Sequence, residues 1–234
     1  MNLVLLERDE LCRRRAILRG RRRDHIASVH RAEVGKKLRV GVVGGLVGTA
    51  QVVGIDDEHV ELDVELHEHP PPPLPCTLVL ALPRPKVLRR VLQSVAAFGI
   101  KDLVLIGAYR VEKSYWQTPY LEAQRVRDEL LLGLEQARDT IVPVVMQRRL
   151  FRPFVEDELP ALASHGRLLL AHHAAAQPCP RDRSRHITLV VGPEGGFIPF
   201  EVDLLAAAGA QAITLGPRTL RVEHAIAALL GRLF

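Results

Sequence analysis

Near the carboxyl end, two short stretches hold residue types that can grip a small organic molecule and act on an acceptor beside it. They are Gly192-Pro193-Glu194-Gly195-Gly196 and Leu215-Gly216-Pro217-Arg218-Thr219-Leu220-Arg221-Val222-Glu223. Glycine takes positive φ and exposes its backbone, so a ligand can approach the main chain without a Cβ in the way. Leucines and valines around it offer the apolar wall of a small-ligand pocket. Arg221 supplies a cation that can stabilise negative charge developing on an acceptor; the alternative is a structural arginine pairing with a carboxylate or carbonyl. Glu223 falls in the first turn of a predicted helix, where the dipole favours an acid. It either caps and braces the loop or takes a direct catalytic part. Glu194 either hydrogen-bonds loop amides or touches a partner subunit. Neither GxGxxG nor GxxxxGK[ST] occurs, so a phosphate-cradling nucleotide site has little support. His172 and His173 are adjacent with no third ligand spaced to join them. Cys12, Cys76 and Cys179 lack CxxC or Cys/His spacing, so no metal site is expected and the thiols are expected to be reduced.

The elements that must place these stretches read as alternating strands and helices. The apolar run 187–191, bounded by glycine and proline, predicts a buried strand. A helix over 199–208, a strand over 212–215 and a helix over 223–230 follow. Upstream, strands are expected at 77–82, 102–106, 141–146 and 167–170, and helices at 86–98, 120–137 and 153–164. Val87, Leu88, Val91, Leu92 and Val95 share one face of the first of these helices. Such alternation marks an α/β domain with a mainly parallel sheet and flanking helices. In that architecture the loops after the carboxyl ends of neighbouring strands form the ligand crevice.

Residues 1–69 read differently, as a small β-rich domain. Segments 37–43, 48–55 and 59–66 are short and alternating, and His59 to Leu66 carries apolar side chains at every second position. Pro70-Pro71-Pro72-Pro73 is a stiff hinge, so a linker is placed at 70–75 and the α/β domain at 76–234.

Charge is informative through its placement. The chain carries a net +5, yet residues 1–40 hold 12 Lys and Arg against 5 Asp and Glu, and the remainder is slightly acidic. Arg13-Arg14-Arg15 and Arg21-Arg22-Arg23 are the densest part. Such a cluster is the footprint of an element that meets phosphate, and arginine, which grips phosphate bidentately and stacks on bases, favours RNA; the bland alternative is a solvated basic turn. No apolar run approaches the length that spans a bilayer, and Glu7, Arg8, Asp9 and Glu10 interrupt any signal-peptide core, which predicts a cytoplasmic protein with no membrane partner.

GPEGG followed by LGPRTLRVEHA resembles the cofactor-binding end of the SPOUT (trefoil-knot) RNA methyltransferases, and more narrowly the RsmE family, which methylates N3 of a uridine in small-subunit ribosomal RNA. His224 stands where the family usually has threonine. The stretch Asp24 to Arg31 is similar to the family's amino-terminal "H…VLR" segment. Ala97-Phe98-Gly99 stands at its Glu-Leu-Gly, Glu135-Gln136-Ala137-Arg138 at its Glu-Gln…Arg, and Lys113-Ser114-Tyr115-Trp116 in its basic loop. The resemblance implies a PUA-like barrel over 1–69 that holds RNA, and a knotted α/β domain whose last helix threads a preceding loop. It implies S-adenosylmethionine as cofactor, bound by three converging loops through Leu170, Ala171, His172, Val191, Gly192, Glu194, Gly196, Leu215, Gly216 and Leu220. It also implies a homodimer acting on 16S ribosomal RNA or the small subunit. Arg221 and Glu223 are the catalytic candidates, with the structural alternatives given above. Arg13, Arg14, Arg15, Arg21, Arg22, Arg23, His25, Arg31 and Arg110 are the residues expected to meet RNA, and Tyr115 and Trp116 could stack a base or be buried. Two other readings stay open: an RNA-binding assembly factor without activity, motivated by Ala97-Phe98 and His224, and a knotted methyltransferase acting on another nucleotide.

Overall fold

The computed structural model describes residues 2–28 and 31–234. Val29 and His30, part of the Asp24 to Arg31 stretch noted above, lie outside them. The chain divides into two compact units. One comprises Met1–Pro72 with Ala96–Gly99 and Leu130–Val142; the other comprises Pro73–Val95, Ile100–Glu129 and Pro143–Phe234.

The first unit is built on a mixed sheet of β1 (Val4–Leu6), β2 (Leu11–Cys12), β3 (Arg15–Arg19), β4 (Lys37–Val42), β5 (Val47–Ile55) and β6 (His59–Glu68). Their order is β1-β4-β5-β6-β3-β2, with β1 and β4 parallel and the other neighbours antiparallel. Helix α1 (Gly20–Ser28) follows β3 directly. Strands β4, β5 and β6 fall where alternation placed them, while β1, β3 and α1 were not anticipated. In β3 the reason is visible: Ala16 and Leu18 enter the core and Arg15, Ile17 and Arg19 face out. The period of two is there, but arginine dominates the local composition and hides it. The core gathers Leu6, Leu18, Ile26, Val40, Val52, Val60 and Leu62.

Segment Leu130–Val142 is held into this unit by polar contacts. The backbone N–H groups of Asn2 and Leu3 donate to the Glu135 carbonyl, and Gly44 N–H donates to Thr140 O. The Glu135 carboxylate is 3% exposed and takes a bidentate grip from Arg21 at 2.8 and 3.1 Å. A carboxylate so buried needs such a partner.

The second unit holds a wholly parallel sheet of β7 (Cys76–Ala81), β8 (Asp102–Ile106), β9 (Val144–Arg148), β10 (Gly166–Ala171), β11 (His186–Val191) and β12 (Gln211–Ile213). The order is β12-β10-β11-β7-β8-β9. Helices α2 (Pro85–Ala97), α3 (Ala123–Ala137), α4 (Phe151–Pro153), α5 (Leu159–Ala163), α6 (Pro199–Ala207) and α7 (Val222–Leu233) connect or follow the strands. The central strands β7 and β11 are buried almost throughout, as expected when helices cover both faces. Strand β9 begins only after Pro143 and lies at the sheet edge, where proline's missing N–H is tolerated. The single helix expected over 153–164 is broken: a wide π-type turn, Phe154–Glu158, separates α4 from α5. Pro160 lacks the N–H that a continuous α-helix would bond, and its ring would crowd the carbonyl one turn back. Among the described residues no helix is long and apolar enough to cross a membrane, and no group of three His, Cys, Asp or Glu side chains is placed to hold a metal.

Gly166 opens β10 directly opposite His186 of β11. A Cβ there would overlap the His186 carbonyl oxygen, a backbone atom that cannot swing away. Gly166→Ala should therefore destabilise the protein by about 1–3 kcal/mol, the range for overpacking a tight site. Urea unfolding will show this as a lower midpoint with an unchanged slope.

Candidate active site at the carboxyl ends of the parallel strands

Because every neighbouring pair in the second sheet is parallel, all its strands deliver their following loops to one edge. Three of those loops meet. Ala171, His172 and His173 from the end of β10 onward, Val191 to Phe197 from the end of β11, and Ile213 to Gly216 with Arg218 to Leu220 from the end of β12 line a cleft of about 240 Å³, closed on one side by Val222, Ala225 and Leu229 of α7. That space is several times the roughly 30 Å³ share of one water molecule.

Most of the lining is apolar, with a few polar groups placed among it. Leu215 and Leu220, 39% and 41% exposed, are the aliphatic side chains that the third loop contributes to the lining. Gly196 (φ +73°) and Gly216 (φ +111°) adopt left-handed backbone, and no atom lies within 4 Å of where a Cβ would sit at either. The sequence placed glycine here for backbone access, and these two positions provide it.

The loops are fixed from behind. His172 N–H donates to Ile213 O (2.9 Å), Thr214 N–H to Gln177 O (2.8 Å), and Cys179 N–H to Thr214 O (2.8 Å). The Thr214 hydroxyl accepts Gly216 N–H at 3.1 Å. Glu194 takes the loop-bracing part: its carboxylate accepts the backbone N–H of Arg84 at 3.1 Å. Phe197 is buried in a tilted stack with Phe151, ring centroids 5.6 Å apart. Glu201, 3% exposed at the start of α6, accepts N–H from Tyr109 (2.7 Å) and Ile198 (3.0 Å) and so ties the loop after β8 to the loop after β11. Burial pushes the His172 imidazole below its ordinary pKa, and the neighbouring His173, 4.9 Å away between centroids, adds to the shift. Both effects favour the uncharged imidazole.

Of the residues expected to hold the cofactor, Ala171, His172, Val191, Gly192, Glu194, Gly196, Leu215, Gly216 and Leu220 line the cleft. Leu170 does not: it lies inside β10 and is 1% exposed, its side chain packed in the core. Ala225 and Leu229 were missed although they recur with Val222 at helical spacing, the signal that would have found them. Arg218 and Thr219, also lining, sit in a motif already noted.

Arg221 flanks the cleft rather than lining it. It is the exposed N-cap residue of α7, its carbonyl accepting Ala225 N–H, and among the described residues no carboxylate pairs with its guanidinium. Glu223 turns away to Arg90 (3.3 Å), with a side chain 11% exposed, which is the bracing alternative of its two readings. His224 is exposed and lies off the lining.

The basic cluster is largely neutralised within its own unit. Arg14 pairs with Asp63 and Glu65, Arg21 with Glu135, Arg22 with Glu10, and Arg23 with Asp24, Asp57 and the Asp56 carbonyl. Arg13 and Arg15 are exposed with no carboxylate partner among the described residues, and Arg31 is exposed with φ 45°. His25 is partly buried in α1. Arg110 belongs to the other unit, where its guanidinium donates to the Gly195 carbonyl.

Comparison with known proteins agrees with this geometry. The family described as RNA methyltransferase domain matches residues 70–233. The ribosomal RNA small subunit methyltransferase E of Treponema pallidum is 30% identical over 97% of this chain and 88% of its own. Two solved structures share the fold along nearly the whole chain. The Neisseria gonorrhoeae ribosomal RNA small subunit methyltransferase E bound to S-adenosylmethionine has a TM-score of 0.73 at 20% identity, covering 99% of this chain and 96% of its own. A Legionella pneumophila protein in complex with the same cofactor has a TM-score of 0.72 at 21% identity, covering 97% and 95%. With a family match over most of its length and a full-length relative at this identity, the chain belongs to the RsmE family of ribosomal RNA small-subunit methyltransferases.

Proposed function

We propose that this protein transfers a methyl group from S-adenosylmethionine to N3 of a uridine in the RNA of the small ribosomal subunit. Family membership carries the cofactor-dependent methylation of ribosomal RNA; uridine and N3 are the finer reading. The observation that bears most weight is the convergence of three strand-end loops on an apolar cleft floored by two open left-handed glycines.

The residues fit the cofactor. An adenine can lie against Leu215, Leu220 and Val191 with its edge toward exposed backbone, and Gly196 and Gly216 leave that backbone bare. When bound, S-adenosylmethionine supplies an electrophilic methyl group on a sulfonium. The chain's part is to orient the acceptor and to exclude water. In this reading Arg221, at the head of α7 and with no carboxylate partner among the described residues, faces the uracil carbonyls and stabilises the negative charge that builds as N3 loses its proton. Glu223 with Arg90 steadies the first turn of α7 below it.

A threaded carboxyl end is supported by the bonding around β12. Segment 172–179 bonds the chain at Ile213–Thr214 from both sides, and Asp182 N–H then donates to Leu233 O near the end of α7. The mixed six-stranded sheet and the full-length fold similarity support a PUA-like first unit that contacts RNA, with Arg13, Arg15 and Arg31 as its available cations. A homodimer working in the cytoplasm on 16S ribosomal RNA or the assembled subunit completes the reading.

Calorimetry should detect binding of S-adenosylmethionine and S-adenosylhomocysteine by the isolated protein, and mass spectrometry should locate one added methyl on a uridine. Absence of both ligands' binding heats would remove the proposal. Arg221→Ala should lower methyl transfer by about a hundredfold or more, the scale for losing one charge-stabilising donor, with cofactor affinity nearly unchanged. Equal loss of both would make Arg221 structural. Cofactor affinity should also weaken as the pH falls through the depressed pKa of His172. Protonating that imidazole adds a cation to the cleft that would receive the sulfonium, whereas above the pKa His172 is uncharged and its contribution to affinity is flat. His172→Gln should flatten this dependence.

A further inference from the structure

The bonding of the arginines separates where positive charge is dense in the sequence from where it is free in the structure. In the first unit Arg14, Arg21, Arg22 and Arg23 are held by carboxylates. In the second unit, at the edge of the sheet where the cleft lies, Arg84, Arg110, Lys113, Arg149 and Arg218 are exposed on the loops after β7, β8, β9 and β12, and among the described residues none has a carboxylate partner. They lie on loops of one sheet edge, and Arg84, Arg110 and Arg149 each touch a neighbouring loop. Arg84 follows β7, bonds Glu194 through its backbone and lies with its side chain beside the Tyr115 hydroxyl. Arg149 follows β9 and stacks its guanidinium over the Trp116 ring, 5.6 Å from the centroid. Arg110 rests on Gly195, and Arg218 lines the cleft itself. The acids among them bond neutral donors: Glu112 takes the Tyr115 hydroxyl at 3.0 Å and Glu194 the Arg84 N–H.

We propose that this rim, with Trp116 as its aromatic platform, is the surface on which the single-stranded RNA flanking the target nucleotide is seated. It rests on the reading above that RNA is the substrate, and adds where the catalytic unit itself grips it. Guanidinium groups aligned along a groove track a phosphate backbone, and an indole stacks any base without reading its sequence. A duplex could not offer an unstacked base to Trp116, so the platform selects single strand. Arg149 serves both parts, holding the indole plane and presenting charge at its edge.

Trp116 is the only tryptophan in the chain, so its emission reports this surface directly. The full-length protein is titrated with a uridine-containing single-stranded oligonucleotide at several salt concentrations, following that emission. RNA should quench it. Arg84→Ala and Arg149→Ala should each weaken binding and lower the slope of log K against log salt by about 0.7, one phosphate contact on a single strand. Arg149→Lys should recover the slope, and Arg14→Ala, removing a residue tied to Asp63 and Glu65, should keep both affinity and slope. Retained binding of S-adenosylmethionine by each variant certifies its fold. Unchanged slopes in the Arg84 and Arg149 variants, the full loss in Arg14→Ala instead, or unquenched emission on RNA binding would each overturn the rim. So would equal quenching by a polyglutamate peptide, which would assign the surface to an acidic protein. Methyl transfer is not the readout: lost methylation with intact quenching would sink the proposed reaction and leave the rim standing.

Discussion

The site depends on how two residues, Ile213 and Thr214, are held. Their main-chain groups accept from His172 and Cys179 and donate to Gln177, while the Thr214 hydroxyl takes up the Gly216 N–H. A short edge strand of three residues has few ladder bonds of its own, so without this clasp the loop that follows would be free to move. With it, the loops after β10 and β12 are bonded to each other as well as to the sheet, and α7 leaves from a fixed point. The cleft is therefore preformed by backbone hydrogen bonds, and its side chains only have to line it.

A second set of ties joins the loops after β7, β8 and β11. Glu201 is buried and shares its two oxygens between Tyr109 and Ile198, so the loop after β8 and the loop after β11 move as one. Arg110 on Gly195 and Arg84 on Glu194 repeat the linkage at the surface. The walls of the cleft and the exposed cations after β7 and β8 are thus tied to each other through the loop after β11. A ligand that orders one would be felt by the other through these bonds, with no distant relay needed.

The arginine cluster shows how composition and function part company. Six arginines in two triplets read as a phosphate-binding arm, and the reading was sound chemistry. In the folded chain four of them close the first unit: Arg21 neutralises the buried carboxylate of Glu135, and Arg22 grips Glu10, whose pKa burial would raise but whose bonds to Arg22 and to the Glu7 backbone hold it below its ordinary value. Partly buried pairs of this kind serve the fold, because removing one member would leave the other without compensation. The cations that remain free in the second unit come singly in the sequence, one or two per loop, where no local count would have noticed them.

Local patterns were enough for β4 to β12, though not for β1 and β3, and for most of the loops that line the cleft. Alternation placed β4 to β6, and apolar runs between glycine and proline placed β7, β8 and β11. Two glycine-bearing motifs in order identified the family and most of the cleft lining. These features are legible because period, punctuation and backbone freedom act over a few neighbouring residues. What lay beyond reach was set by partners far apart in the chain. That Leu170 faces the core while Ala171 faces the cleft follows from the register of β10 against β11 and β12. That Glu223 braces Arg90, and that Arg21 meets a carboxylate more than a hundred residues away, follows from the packing of helices onto sheets. The sequence determined which groups could bind a methyl donor and an RNA; only the tertiary structure decided which charges lack a carboxylate partner among the described residues, because pairing depends on distance in space and not along the chain.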